Sequence, residues 1–249
     1  MNSINQICTQ IAQVIIDKKP CVVLSGAGIS AESGIPTFRS KGGLWEKYDP
    51  AVYASIEVFQ RDPSKYWTIR GEFIRTYDEL EPNPAHAAIA ELEKSGFISQ
   101  VITQNIDGLH KKAGSLNVIE LHGSLREIYC LSCRREYIAP DVPEGLPPRC
   151  ECGGILKPNT VLFGEQLPAA ALESAYRSAM TCRAMLVIGT SAVVYPAAAL
   201  PVLAKQHGAV IVEINIEKAF PGADFTVLEK AGTALPLLAR EIEQLTARG

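Results

Sequence analysis

Neither charge sign is in excess in this chain, and no long block of one sign occurs. Lysine and arginine number 24 against 27 aspartate and glutamate, a formal net charge of -3. Nucleic acid needs a basic surface to neutralise its phosphates, so it is not the expected main partner. Long hydrophobic runs are also missing: none reaches the roughly 18 residues of a membrane-spanning helix. The first residues do not show a basic segment followed by an apolar core and a cleavage site, so the expected compartment is the cytoplasm. Internal repeats and low-complexity segments are absent too. What remains is a 249-residue chain, 47% hydrophobic, able to bury a sizeable core as one large domain or a large and a small one.

Cysteines number seven and fall into two groups. Cys8, Cys21 and Cys182 stand alone in apolar surroundings and are expected to pack as small hydrophobes. Cys130, Cys133, Cys150 and Cys152 crowd a loop-rich stretch, reading C-x-x-C, sixteen intervening residues, then C-x-C. In a reducing compartment this favours metal over disulfides. Four thiolates from two short turns suit tetrahedral zinc, although the second pair is one residue tighter than usual. The implied zinc is structural, with no open position for chemistry.

Apolar strands alternate with helical stripes along the rest of the chain. Ile4, Ile7, Ile11, Val14 and Ile15 mark a first helix, and Cys21 to Ser25 a strand. Ala85 to Lys94 reads as a helix, Ser99 to Thr103 and Val118 to Leu121 as strands. Ala169 to Met180 is a helix, Ala184 to Ile188 a buried strand, Pro196 to Gln206 a helix and Ala209 to Asn215 a strand. Leu235, Leu238, Ile242 and Leu245 return to helical spacing. This order predicts an α/β fold with a doubly wound, mostly parallel sheet. Between about Ser124 and Pro158, Cys, Pro, Arg and Gly dominate without a long periodic segment, as expected of a small module pinned by metal rather than by core.

Three polar, glycine-bearing runs follow predicted strands, at the edge where such sheets place ligands. Gly26-Ala27-Gly28-Ile29-Ser30-Ala31 fits the strand-turn-helix pattern in which glycines give a tight turn and let backbone amides approach a pyrophosphate. Gly34 to Arg39 is too rich in turn formers for an uninterrupted helix. It reads as a loop over the ligand, with Phe38 as an apolar lid and Arg39 able to pair with phosphate. Asn105 and Asp107, two apart at a strand end, can grip a carboxamide or ribose hydroxyls, or simply cap a turn. His122 before Gly123-Ser124 can serve as a general base near neutral pH, or as a structural hydrogen-bonder. His86 and His110 read as structural, and His207 as a surface loop residue. Thr190 and Ser191 can bond phosphate or ribose, and Asn215 and Glu217 can reach ribose hydroxyls; capping is the plainer alternative.

Together these residues resemble the sirtuin family of NAD-dependent protein deacylases, from about Cys21 to Pro236. The segments carrying the likeness are GAGISAESGIPTFR at 26–39, TQNIDGLH at 103–110, ELHGS at 120–124, KPNTVLFGE at 157–165, GTS at 189–191 and VVYPAA at 193–198. The resemblance implies an NAD-binding part made of about 1–36, 78–123 and 159–249. A smaller part would join a helical insertion at about 37–77 to a zinc ribbon at about 124–158. It places Gly26, Ala27, Gly28, Ser30, Ala31, Phe38, Arg39, Gln104, Asn105, Ile106, Asp107 and His122 around NAD. Gly189, Thr190, Ser191, Asn215, Glu217 and Ala231 would serve its phosphate, ribose and adenine end.

By the same likeness, Asp107 and Ile106 would hold the nicotinamide carboxamide, Asn105 and Asp107 would act with His122 in catalysis, and Phe38 would screen the reacting carbon. The acyl-lysine oxygen would attack C1′ of the ribose to give an alkylimidate. His122, through a ribose hydroxyl, would drive the 2′-OH onto it, yielding lysine, nicotinamide and O-acyl-ADP-ribose. An acylated peptide would add as a strand between Val161-Leu162-Phe163-Gly164-Glu165 and Val193-Val194-Tyr195. Sirtuins that prefer acidic acyl groups carry Tyr-x-x-Arg in the insertion; Arg70 and Phe73 stand at the aligned positions here, which leaves Arg70 alone as a candidate partner for an acidic acyl group. An acyl pocket for acetyl or longer uncharged groups is therefore expected. Mono-ADP-ribosyl transfer, a zinc-ribbon binding module that takes NAD as a ligand, and a hydride-transferring dehydrogenase are the competing readings. Intact His122 speaks against the first two, and the loop after Gly34 against the third.

Overall fold

The apolar strands that alternate with helices in the sequence assemble into one parallel sheet, in the order β3-β2-β1-β7-β8-β9, in a computed structural model that describes residues 4–35, 49–139 and 141–247. These strands are β1 (Cys21–Ser25), β2 (Ile98–Thr103), β3 (Val118–Glu120), β7 (Ala184–Ile188), β8 (Val210–Asn215) and β9 (Phe225–Leu228). All five pairings are parallel. Every residue of β1 and β7 is buried, as continuous apolar runs must be when helices cover both faces. Strand order runs outward one way from β1 and the other way from β7. The switch point of this doubly wound sheet therefore lies between them, and ligands bind there, beyond the carboxyl ends of the strands.

Two cores flank the sheet. On one face α1 (Ile4–Lys18), α5 (Pro84–Lys94) and α9 (Ala231–Thr246) bury Ile11, Ile15, Ile89, Leu235 and Leu238 against Val23, Val101 and Leu186. On the other, α7 (Ala169–Thr181) and α8 (Ala199–Gln206) pack Ala175, Ala179, Leu200 and Ala204 on Leu24, Ile102 and Val187. Cys8, Cys21 and Cys182 are buried, and burial pushes their thiols up, to about 12 for Cys21 and about 11 for Cys182. They are inert packing groups.

A second, antiparallel sheet has the order β5-β4-β6, with β4 (Gly123–Cys130), β5 (Glu136–Ile138) and β6 (Leu156–Thr160). Before it in the chain come the short helices α2 (Pro50–Tyr53) and α3 (Ile56–Arg61), the longer α4 (Pro63–Asp78), and, after α5 and β2, α6 (Leu109–Lys112). Phe59 and Trp67 from this helical insertion share a core with Ile128, Cys130, Cys150 and Leu156 of the small sheet. The Trp67 indole donates to the Leu156 carbonyl at 2.9 Å. The cysteine-bearing module is thus held by an apolar core as well as by its sulfurs, which the sequence pattern did not suggest.

Candidate functional site

The loops after β1, β2 and β7 meet at the switch point. Residues 27–33 (Ala27–Ser33) form a 3-10 helix closed by Gly34 in a left-handed conformation, in place of the regular helix expected after the glycine turn. The glycines there serve close packing. Gly28 N–H donates to the Gly189 carbonyl at 2.8 Å, and a Cβ on Gly28 would stand 2.7 Å from the Gly189 Cα. Gly189 itself has φ +57°, and a Cβ there would meet the Ile29 amide at 2.4 Å. Two glycines let the β1 and β7 loops touch backbone to backbone. The Gly28 amide expected to approach a pyrophosphate is spent on that contact, because a backbone N–H so well aligned serves one acceptor.

Ser30 is the hub of the loop after β1. The Asn83 N–H lies 3.3 Å from His86 Nδ1, so that nitrogen accepts and the His86 Nε2 proton points to Ser30 Oγ at 3.5 Å. Asn105 Nδ2 donates to Ser30 Oγ at 3.1 Å and to the Gly26 carbonyl at 3.2 Å. Ser30 in turn donates to Asp107 Oδ2 at 2.8 Å, while the Leu109 N–H caps Oδ1 at 2.9 Å. Burial pushes the Asp107 carboxyl up, and these hydrogen bonds pull it back toward the charged form. Asn105 and Asp107, two apart in sequence, thus converge on one hydroxyl. With Ala27, Ser30, Ile35, Ile106 and Tyr77 they line one cleft. Ile35 and Tyr77 had not been singled out from the sequence.

His122 lies beside this cleft at the turn from β3 into β4. Its Nδ1 sits 2.8 Å from the Gln104 carbonyl, which can only accept, so Nδ1 carries the proton and Nε2 presents a lone pair. Burial pushes the imidazole down, so it is neutral at physiological pH. Gly123 fixes the turn that carries it: φ is +74°, and a Cβ would fall 1.5 Å from the Asn159 carbonyl oxygen. From His122 a belt of hydrogen bonds runs along the sheet edge. Gln104 Nε2 donates to Thr190 Oγ1 at 2.9 Å, and Asn215 Nδ2 donates to the Thr190 carbonyl at 3.1 Å. Residues placed at four separate strand ends by the sequence are one connected rim.

Below the rim lie two buried histidines, His86 and His110, edge to face at 4.9 Å between centroids. Ser25 donates to Thr103 Oγ1 and lies 2.9 Å from His110 Nε2. Burial lowers His86 to about 4 and His110, which also feels His86, to about 3. The unfolded chain would bind protons at both from about pH 6.5 downward, whereas the folded chain resists. Stability is therefore fully present above that pH and lost as pH falls toward 4 and then 3, by several kcal/mol at most on the order-of-magnitude linkage scale. Urea unfolding at pH 7.5, 6 and 5 should show falling midpoints; a flat series would refute this account. His207, as expected, is exposed, at the end of α8.

At the far end of the rim, Thr190 and Ala231 are buried, Asn215 is half-buried, and Glu217 and Ser191 are exposed. The fully buried Glu213 carboxylate accepts the Ala219 and Phe220 amides at 2.7 and 2.9 Å and so shapes the loop that carries Glu217. Glu32, beside the exposed Ala31, accepts the Gly232 amide at 2.8 Å and caps α9 just after Ala231. A lone carboxylate inside an apolar strand was the available signal for Glu213. Phe38 and Arg39 lie outside the described residues.

Of the two segments expected to flank a peptide, one exposes Phe163 at 52% and the other Val193 and Tyr195 at 59% and 74%. The Phe163 N–H donates to the Ala54 carbonyl and its carbonyl accepts from Ile56 N–H, stitching this segment to the helical insertion. Val161 N–H donates to the His122 carbonyl at 2.9 Å. Leu162 N–H is taken by the Glu165 carboxylate, which the buried Lys157 ammonium holds at 3.0 Å. Gly164, at φ +81°, is the segment's residue whose amide these contacts leave open.

The four clustered cysteines converge at the end of the small sheet, all Sγ atoms within 4.8 Å of one another. Cys130 and Cys152 sulfurs are 3.5 Å apart, Cys133 and Cys150 sulfurs 3.6 Å. A tetrahedron with Zn–S of about 2.3 Å has edges of about 3.8 Å, so these two distances between the pairs, with all four sulfurs in one cluster, fit a tetrahedral zinc site. Tyr137, on β5, donates its hydroxyl to Cys150 Sγ at 3.1 Å, the kind of outer hydrogen bond that steadies a metal-bound thiolate.

The Sir2 family profile matches residues 26–196. An NAD-dependent protein deacylase of Pyrococcus furiosus is 47% identical over 246 residues, covering 95% of this chain and 98% of its own. An NAD-dependent protein deacetylase of Saccharolobus solfataricus is 43% identical, covering 94% and 97%. Among solved structures, a Sir2 homologue in complex with NAD superposes with a TM-score of 0.88 at 44% identity, covering 95% of this chain and 94% of its own. A Sir2 variant with a deacetylated peptide and 3′-O-acetyl ADP-ribose gives 0.86 at 36% identity, covering 95% and 97%.

Proposed function

The chain belongs to the Sir2 family and is an NAD-dependent protein deacylase, and we propose how its own residues divide that work. NAD supplies the glycosidic bond to nicotinamide whose cleavage drives acyl transfer. The Asp107 carboxylate, fixed by Ser30 and the Leu109 amide, accepts from the nicotinamide carboxamide, and the Ile106 amide donates to it. Asn105 orients the reacting end through its bonds to Ser30 and Gly26. Gly26, Ala27, Gly28, Ala31 and Arg39 border the phosphates, and Phe38 screens the reacting carbon. Gly189, Thr190, Ser191, Asn215, Glu217 and Ala231 hold the adenosine half. His122 takes a proton from a ribose hydroxyl through Nε2.

The observation that carries this assignment is the Nδ1 bond of His122 to the Gln104 carbonyl, which leaves a neutral imidazole with its second nitrogen free to act as a base. Binding NAD alone would not require such a group, and ADP-ribosyl transfer omits the step it serves.

The peptide enters as a strand along the groove between the two subdomains. Gly164 offers its amide on one side and Val193-Val194-Tyr195 lies on the other, while Phe163 contributes its exposed ring, since its backbone is already paired. Val161, Leu162 and Glu165 frame the segment, with Glu165 held by Lys157. Peptide substrates and NAD are the partners; no helix among the described residues is long and apolar enough to cross a membrane. A cytoplasmic location and no nucleic-acid partner fit the balanced charge.

The acyl group is uncharged. Arg70, which stands at one of the two aligned positions, is 5% exposed, donates to the Leu125 carbonyl at 2.7 Å and lies over the Trp67 ring at 4.9 Å. A guanidinium so committed is a core group. Mass spectrometry of acetyl- and succinyl-lysine peptides with NAD should show acetyl loss with matching O-acetyl-ADP-ribose, and succinyl turnover at least about tenfold slower. Equal rates would overturn the acyl assignment. Nicotinamide release with ADP-ribose left on protein would move the reading to ADP-ribosyl transfer.

A further inference from the structure

Among the described residues, the helical insertion reaches the cleft through Tyr77, one residue before the end of α4. The other described lining residues come from the loops after β1 and β2 and are small, aliphatic or amide and carboxylate groups. Tyr77 is the only aromatic side chain among them. The geometry points to Tyr77 as a specificity-determining residue of the nicotinamide subsite. Its ring walls the cleft beside Asn105, Ile106 and Asp107 and sets how firmly free nicotinamide is retained. This rests on the assignment of Asp107 and Ile106 to the carboxamide.

Several observations support the role. Burial, and next the neighbouring Asp107 carboxylate, push the Tyr77 phenol well above its ordinary range, so at working pH it stays neutral beside the carboxylate. A pyridine carboxamide has a flat apolar ring and one polar edge. Asp107 and Ile106 account for the edge, and they need a partner surface for the ring. Aromatic side chains supply this at well-defined geometry. Because Tyr77 stands on the insertion and its cleft partners on the parallel sheet, the subsite spans both parts of the molecule. Release of nicotinamide is thereby coupled to how the insertion sits on the sheet.

The test compares Tyr77→Ala, Tyr77→Phe and Tyr77→Trp with the parent protein. Inhibition by free nicotinamide and labelled nicotinamide exchange into NAD are measured with an acetyl-lysine peptide. Acetyl release is followed in parallel, and thermal unfolding monitors the fold. Removing the ring should raise the nicotinamide inhibition constant about tenfold and lower the ratio of exchange to deacylation by a similar factor. Phenylalanine should restore both to within about threefold, and tryptophan, by filling the cleft, should raise the constant as alanine does. A folded alanine variant with the parent's inhibition constant would overturn the role. If alanine does not fold, a tryptophan variant with an unchanged constant would do so. Failure of the parent protein to release acetyl at all would instead strike the underlying functional assignment.

Discussion

Replacing His122 by alanine should lower acyl release by a factor on the order of 10²–10⁴, the usual worth of a positioned proton acceptor. Nicotinamide exchange should survive in part, because it precedes the step in which a ribose hydroxyl loses its proton. The geometry makes the split sharp. His122 meets the sheet edge through one bond, Nδ1 to the Gln104 carbonyl, and Gln104 keeps its own side-chain bond to Thr190 without it. Asn105 and Asp107 are organised by Ser30, whose partners do not include His122. The substitution therefore removes the base and leaves the carboxamide grip standing. Deacylation and exchange lost together in a folded variant would show that His122 holds the NAD site rather than serving the later proton transfer. The neutral Nε2 also sets a pH profile: because burial lowers the imidazole, base activity should persist below the pH at which an ordinary histidine becomes protonated.

The central strands were legible because burial on both faces leaves a mark in sequence. Cys21-Val22-Val23-Leu24 and Ala184 to Ile188 are unbroken apolar runs between glycine or proline turns, and both are central strands. β9 left no such mark. It is a four-residue edge strand with only Val227 buried, and β8 is its one partner in the sheet order. β4 was hidden for another reason. Gly123 to Cys130 carries Arg126 and Glu127, and its partner in β6 lies some thirty residues on. Long-range pairing, not local pattern, makes it a strand.

Asn105, Asp107 and His122, the residues proposed for catalysis, stand in motifs visible in the sequence, but their wiring was not legible there. Asn105 and Asp107 point to a common target, Ser30, that lies seventy-five residues upstream in the chain. His86, expected to be structural, is fixed by the Asn83 N–H at Nδ1 and meets that target directly through Nε2. Tyr77 gave no local signal: a tyrosine near a helix end is ordinary until the fold brings it against the loop after β2. The glycine motif was read for phosphate, and the structure spends it first on the contact between the β1 and β7 loops.

Stripping the metal should produce the second large effect, and in structure rather than chemistry. Cys130→Ala, or a strong chelator applied to the parent protein, should reduce bound zinc from one per chain to none. The ribbon should then come apart, since structural zinc commonly supplies on the order of 10 kcal/mol of local folding energy. The loss should not stop at the ribbon. Cys130 and Cys150 sit in the same apolar cluster as Phe59 and Trp67, and the Trp67 indole is bonded to Leu156 of β6. Unravelling β4 and β6 exposes Trp67, so its fluorescence should shift to the red as zinc leaves. The disturbance then reaches His122 by two routes, one along the chain and one through a hydrogen bond. β4 begins at Gly123, directly after His122, and β6 runs into Val161, whose amide is bonded to the His122 carbonyl. Deacylation should therefore fall with the metal even though the sulfurs do no chemistry. Metal content, Trp67 emission and acetyl release should decline with one concentration dependence on chelator. A zinc-free protein with native emission and undiminished acetyl release would mean that the apolar core shared with the insertion holds the ribbon without metal.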